Sequence, residues 1–224
     1  MDRMECSGGC VWHSHRMAGM MHVSWQPLLR LVAAAPLVLT LSTLALLLQT
    51  SPELQTALEL QFARLAVGSL WRLACCHLLH WSWDHCLWDV LVFLSAGLLC
   101  ETRWPQAFRR VVAWSAGLIP FSVLISAPDL LCYRGLSGVD SALFALAAAM
   151  ILGEELQAGR RSGTAIATIA VLSQFLKIAA EVFVGHTLFV GDHSFVPVPL
   201  SHFTGALIGS AVAVLAIVRR RGCN

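Results

Sequence analysis

Charge is scarce in this chain. Of 224 residues only 12% are Asp, Glu, Lys or Arg, against 57% hydrophobic, and the mean hydropathy is +0.71. A soluble domain cannot cover its surface with so few charges, so the composition excludes that class and puts the chain in a membrane. The net charge of +2 is small and scattered, which excludes nucleic acid as a partner. The only Lys/Arg run is Arg219-Arg220-Arg221, which reads as a membrane anchor. No phosphate loop, dinucleotide fingerprint or HExxH motif occurs, so no cofactor is implied. Nor do the eight cysteines form a regular framework. Cys6, Cys10, Cys100 and Cys223 fall on the reducing side of the topology derived below. Cys75, Cys76, Cys86 and Cys132 fall near the oxidising side, where one disulfide is an option. Cys6 and Cys10 with His13 and His15 have the residue types of a metal cluster but no common zinc spacing, so a disordered tail is expected there and no metal site.

Long apolar runs are abundant. They fall at 29–49, 86–100, 111–127, 137–152, 163–190 and 200–218, punctuated by Ser51-Pro52, Trp104-Pro105 and Pro128-Asp129. At about 20 residues per crossing, six spans use nearly the whole chain and leave no room for a second domain. The expected organisation is a cytoplasmic tail over 1–28, an all-α membrane domain over 29–218 and a basic cytoplasmic tail over 219–224. The first 28 residues lack a signal-peptide cleavage site, so the first apolar segment reads as a retained helix. The second and fourth segments, near 15 residues, are about 23 Å long and shorter than a ~30 Å hydrocarbon core, so their ends are expected below the surface. Part of 182–190 is expected to be loop.

Orientation follows from the basic residues. With the N-terminus inside, eleven arginines lie on inner segments and only Arg64, Arg72 and Arg134 on outer ones, while Lys177 lies within the fifth segment. This bias predicts N-in, C-in. The second, fourth and sixth segments then all start on the outer side, and His85, Ser137 and His202 all lie at those starts. Three reactive side chains from three helices are thereby brought to one depth, which is the argument for a site.

Those residue types suit one chemistry. A serine hydroxyl attacks only if a base takes its proton, so Ser137 requires His202 within hydrogen-bond reach. No carboxylate has an obvious place as a third member. Gly135, opening Gly135-Leu136-Ser137-Gly138, would let the turn take φ > 0, and Gly138 would pack against Gly205 and Gly209. Ser137 at a helix N-terminus would place backbone N–H groups and a partial positive charge near a developing oxyanion, with His85 as a further donor.

Taken together, the motifs resemble those of the rhomboid intramembrane serine proteases over roughly residues 71–210. The resemblance rests on Trp71-Arg72 followed by His80, His85 and Glu101, on Gly135 to Gly138, and on His202-x-x-Gly205-x-x-x-Gly209. Within the family, Lys177 with Glu181 and the Val198-Pro199-x-x-His202 approach are similar to the rhombosortase branch, which implies processing of proteins with a C-terminal sorting segment. The resemblance implies a six-helix rhomboid-like bundle in a bacterial plasma membrane. It further implies a membrane-anchored protein substrate cut near the outer face, and a Ser137–His202 dyad whose imidazole is held by packing.

Two positions depart from the family pattern. Asp89 stands where many rhomboids have asparagine, one turn after His85, and an ionised carboxylate aimed at the oxyanion would oppose catalysis unless it binds His85 instead, which is the expectation. Ser141 stands where many have a tyrosine stacked on the base. Both departures favour the alternative of an inactive rhomboid-like protein that binds transmembrane segments. A transporter using Lys177, Glu181, Asp89 and His85 is disfavoured, because no repeated pair of broken helices is seen. Of the remaining polar residues, His77 and His80 are expected to shape the outer loop, Lys177 and Glu181 to neutralise each other, and Glu101 to pair locally at the inner end of its helix. Trp71, Trp81, Trp83 and Trp88 read as interfacial anchors.

Overall fold

A computed structural model describes residues 30, 32–185, 188 and 198–222. The expected tail over 1–28, with Cys6, Cys10, His13 and His15, lies outside the described residues, as does Cys223. The described chain is mostly helical. Helix α1 (Pro36–Gln49) is bent by 114° into α2 (Pro52–Leu58). A short antiparallel pair joins β1 (Leu60–Gln61) to β2 (Cys132–Tyr133). Between them come α3 (Arg72–Cys75) with flanking 3₁₀ turns, α4 (Trp83–Arg103) and α5 (Pro105–Ser126); after β2 come α6 (Ser137–Gln157), α7 (Arg161–Val184) and α8 (Pro199–Gly222).

Local chemistry accounts for the boundaries. Ser51 accepts a hydrogen bond from the Leu54 N–H and Pro52 occupies the first turn, so the α1–α2 break is a capped restart. Ser82 caps α4 by accepting from the His85 N–H at 3.2 Å. Helix α7 stops at Gly185, whose φ of 77° is left-handed and whose N–H bonds back to the Glu181 carbonyl. Of the stretch 182–190, residues 182–184 are thus helical and Gly185 is the cap, while 186, 187, 189 and 190 lie outside the described residues. Glu101 is buried and accepts from the N–H groups of Leu37 and Val38 at 3.1 and 2.8 Å. Its partner is therefore the N-terminus of α1, 63 residues away, and not a local group.

Three expectations are corrected. Helices α4 and α6 are 21 residues each, about 31 Å, and not near 15. Hydropathy ends both segments at charged residues, yet those residues continue the helix because each has a partner. Glu101 caps α1, and Glu154 binds Arg103 and the Trp104 indole. The basic triplet at 219–221 is no separate tail, since it forms the last turn of α8. There Arg220 comes within 3.5 Å of Glu154. Finally, Cys75, Cys76, Cys86 and Cys132, the cysteines considered for a disulfide, are free thiols.

Among the described residues, four helices are long and apolar enough to cross a membrane: α4, α5, α7 and α8; the bent pair α1–α2 would add a fifth. The radial pattern is compatible with a multi-pass membrane protein. On α7, Phe183 is 90% exposed while Glu181 is 1% exposed, so the helix turns its apolar side outward and its charge inward. Helix α6 is the most enclosed, with Leu143, Leu146 and Met150 fully buried, and it packs most extensively against α8. That contact is made by small residues. A Cβ built on Gly205 would lie 1.9 Å from the Gly138 carbonyl oxygen, and one on Gly209 would lie 2.0 Å from that of Ala142. Gly209 therefore meets Ala142, and only Gly205 meets Gly138. The backbones approach too closely for any side chain, so Gly205→Ala should force the α6–α8 pair apart and destabilise the protein by about 2 kcal/mol. Unfolding in mixed detergent micelles checks this, and a midpoint equal to wild type would contradict the packing.

Candidate active site

The loop that delivers Ser137 is pinned on several sides before α6 begins. Tyr133 and Cys132 pair with Leu60 and Gln61. Arg134 donates to Glu59 from Nη2 at 2.6 Å and Nε at 3.0 Å, to Gln55 from Nη1, and stacks over Trp81. Burial alone would raise the Glu59 carboxyl, but hydrogen bonds from Gln61 and Arg134 and the guanidinium charge outweigh it and hold its pKa below the ordinary range. The Gly135 N–H donates to the Cys76 carbonyl at 3.0 Å, and the Gly135 carbonyl accepts from His77 Nδ1 at 3.2 Å. Burial pushes His77 down to about 4, which keeps it neutral and its Nδ1 proton available as the donor. Gly135 itself has φ 132°, a conformation that favours glycine, and a Cβ there would sit 3.3 Å from the His85 ring.

Ser137 then opens α6 with its Oγ 2.9 Å from His202 Nε2, a side chain 65 residues further on. The other ring nitrogen, Nδ1, lies 2.7 Å from Glu181 Oε2. A carboxylate can only accept, so Nδ1 carries the proton and Nε2 faces the serine hydroxyl as acceptor, which is the tautomer a general base requires. This assignment also makes the 3.4 Å approach of Lys177 Nζ to Nδ1 a charge contact and not a hydrogen bond. Lys177 instead binds Glu181 Oε1 at 2.9 Å, and the Leu188 N–H donates to the same oxygen at 3.1 Å.

The expectation that no carboxylate serves as a third member is therefore overturned. Lys177 and Glu181 do neutralise each other, but the second carboxylate oxygen is left for His202, and packing alone does not hold the imidazole. The reason lies in depth. Helix α7 runs toward the side on which α4, α6 and α8 begin, so Glu181, near its end, arrives at the level of His202. Extending the depth argument from helix starts to helix ends would have found it. Ser141 is buried one turn beyond Ser137, and its carbonyl accepts from Gln174 Nε2 at 2.6 Å. The tether that a stacked ring would give the base comes from the glutamate.

Asp89 joins elements that are distant in sequence. Its Oδ2 accepts from the Leu136 N–H at 3.1 Å and lies 3.2 Å from His85 Nε2 and 3.3 Å from His80 Nε2. The Asp89–His85 contact is the expected one. His80 is the addition, since it is completely buried and packs edge-on against His85 at 5.1 Å, where a loop-shaping role was expected. Burial holds His80 below its ordinary pKa despite the opposing hydrogen bond and charge of Asp89. Asp89 thus faces two imidazoles and the amide just before Ser137. The Leu136 N–H donates to its carboxylate, and both imidazoles lie within ion-pair distance of the same oxygen.

Ser137, His202, Glu181, His85 and Asp89 all line one cavity of about 840 Å³, with Trp81 and Trp88 also in its wall. It is bounded by the N-terminal halves of α4 and α6, the first turn of α8, the C-terminal half of α7 and the 129–134 loop. Among the described residues, no group of three or more His, Cys, Asp or Glu is arranged to hold a metal ion. Such a set can activate a hydroxyl, receive its proton, and offer N–H groups at the α6 N-terminus to a negative oxygen. No protein-family model matches the sequence, and no curated protein matches it either.

Proposed function

We propose that this chain is a rhomboid-type intramembrane serine protease with six spans, N-in and C-in, that cleaves membrane-anchored proteins near the outer face of a bacterial plasma membrane. One observation carries the reading: Ser137 Oγ, His202 and Glu181 are linked at 2.9 and 2.7 Å on the wall of one cavity. Ser137 Oγ attacks the peptide carbonyl as His202 Nε2 takes its proton, and Glu181 stabilises the imidazolium that forms. The tetrahedral oxygen is received by the α6 first-turn N–H groups, with His85 beside them. His202 then protonates the leaving amine, and water from the cavity hydrolyses the acyl-enzyme under the same base. A helical peptide bond hides its carbonyl, so the substrate unwinds locally and small residues are expected near the cut. Lys177 with Glu181, and Val198-Pro199 ahead of His202, support the finer assignment to processing of C-terminal sorting segments.

A fluorophosphonate probe tests the reading directly. Wild type should be labelled in membranes and Ser137→Ala should not; an unlabelled wild type would favour the alternative of an inactive binding protein, for which Asp89 and Ser141, standing where many rhomboids have asparagine and tyrosine, are the motivating residues.

Asp89 separates the two readings further. As a carboxylate that orients His80, His85 and Leu136, it should tolerate Asn with a fall of about threefold to tenfold in kcat/KM and tolerate Ala less well, in line with the loss of a buried hydrogen bond or two. If it instead blocks the oxyanion site, Asn should raise activity. A tenfold rise, about 1.4 kcal/mol of barrier, would reject the orienting role.

A further inference from the structure

The charges around the cavity do not balance. Two cations stand in its wall among the described residues, and each has an ion-pair partner: Arg134 with Glu59, and Lys177 with Glu181. Asp89 is engaged by Leu136, His80 and His85. Asp140 is not. It lies one turn after Ser137 on α6, lines the cavity and is 5% exposed, yet it has no ion pair, and its Oδ1 has no hydrogen-bond partner among the described residues. A buried carboxylate without a donor is costly, because nothing returns the hydration it gave up. A ligand that supplies the missing donor would relieve that cost. Asp129, exposed in the 129–134 loop and also in the cavity wall, adds a second acid without an ion pair.

We propose that Asp140 forms a specificity subsite for a cationic side chain, arginine or lysine, on the substrate segment bound in this cavity. Residues at i and i+3 on a helix lie about 5–6 Å apart at Cβ, so a guanidinium or ammonium bound at Asp140 belongs to a residue close to the bond that Ser137 attacks. The apolar stem of such a side chain suits the neighbouring Phe144 and Val92, while its head reaches the carboxylate. A charge-assisted, bidentate contact with arginine would be the stronger of the two. This rests on the reading that the cavity receives a substrate chain.

The test uses the full-length protein in nanodiscs and a fluorescent transmembrane peptide of leucine and alanine carrying one arginine, scanned through its outer third. The reference is the same peptide set with citrulline, which keeps the shape of arginine and removes its charge. Binding is read by anisotropy on the Ser137→Ala variant, so it does not depend on hydrolysis. At one position of the scan the arginine peptide should bind at least tenfold more tightly than its citrulline twin, and Asp140→Asn should reduce that ratio to about one. Asp140→Glu should retain part of it. Equal binding of the two peptides at every position, or a preference that survives Asp140→Asn, overturns the proposal, and the first of these needs no Asp140 variant to be folded. In a second arm the peptides are given to wild type and cleavage is followed. If binding discriminates but no peptide is cut, the subsite stands and the protease reading fails. If the peptides are cut with no preference, the protease reading stands and the subsite fails.

Discussion

Replacing Ser137 or His202 by alanine should lower the cleavage rate of a membrane-anchored substrate by three to six orders of magnitude, leaving insertion and fold intact. The size follows from the division of labour. Without the hydroxyl no acyl-enzyme can form, and without the imidazole the hydroxyl keeps its proton, so either loss removes the covalent route as a whole. The residual rate should be the same in both variants and in the double variant, since the two side chains act as one unit. The fold should survive because the α6–α8 contact depends on Gly205 and Gly209, which neither change touches. The measurement is single-turnover cleavage in nanodiscs with matched amounts of protein. Activity within tenfold of wild type in either variant would falsify the assignment of nucleophile and base.

The second large effect belongs to Glu181. Converting it to glutamine keeps an oxygen that can accept the His202 Nδ1 proton but removes the charge that balances the imidazolium. A fall of roughly 10²–10⁴ in kcat is expected, as for the orienting carboxylate of serine protease triads in general. The neighbourhood makes the change more severe, because Lys177 Nζ, 3.4 Å from Nδ1, is then left without its counter-ion beside a ring that must become cationic. Adding Lys177→Met to Glu181→Gln should therefore recover part of the loss, several-fold or more. In wild type the same lysine change should have a smaller effect. Such a double-mutant cycle reports a coupling that damage to the fold would not produce. Glu181→Gln with kcat within threefold of wild type would return the site to a dyad.

Much of this architecture is legible in the residues themselves. The scarcity of charge points to apolar helices long enough to cross a membrane, the apolar runs locate the helices, and the shared position of His85, Ser137 and His202 at helix starts brings those three side chains to one cavity. Helix length is less legible, because α4 and α6 run on past charged residues at which hydropathy falls. Glu101 and Glu154 look like endpoints on a hydropathy profile. Only the packed bundle shows that one caps α1 and the other binds Arg103 and Trp104.

Sequence by itself determined the mostly helical class, the presence of long apolar helices, and which serine and which histidine could meet, because apolar burial and helical periodicity act on each segment separately. The tertiary structure alone decided the partners of the polar groups. Glu181 spends one oxygen on the lysine four residues away and the other on an imidazole 21 residues on, and no local rule distinguishes that from a closed pair. Asp89 finds His80 and Leu136 as well as its helical neighbour His85, while Asp140 Oδ1 finds no hydrogen-bond donor among the described residues. The physical reason is the same throughout. In a low-dielectric interior a charge is stable only beside its complement, and which complement lies within 3 Å is settled by how helices pack, a property that no single segment carries.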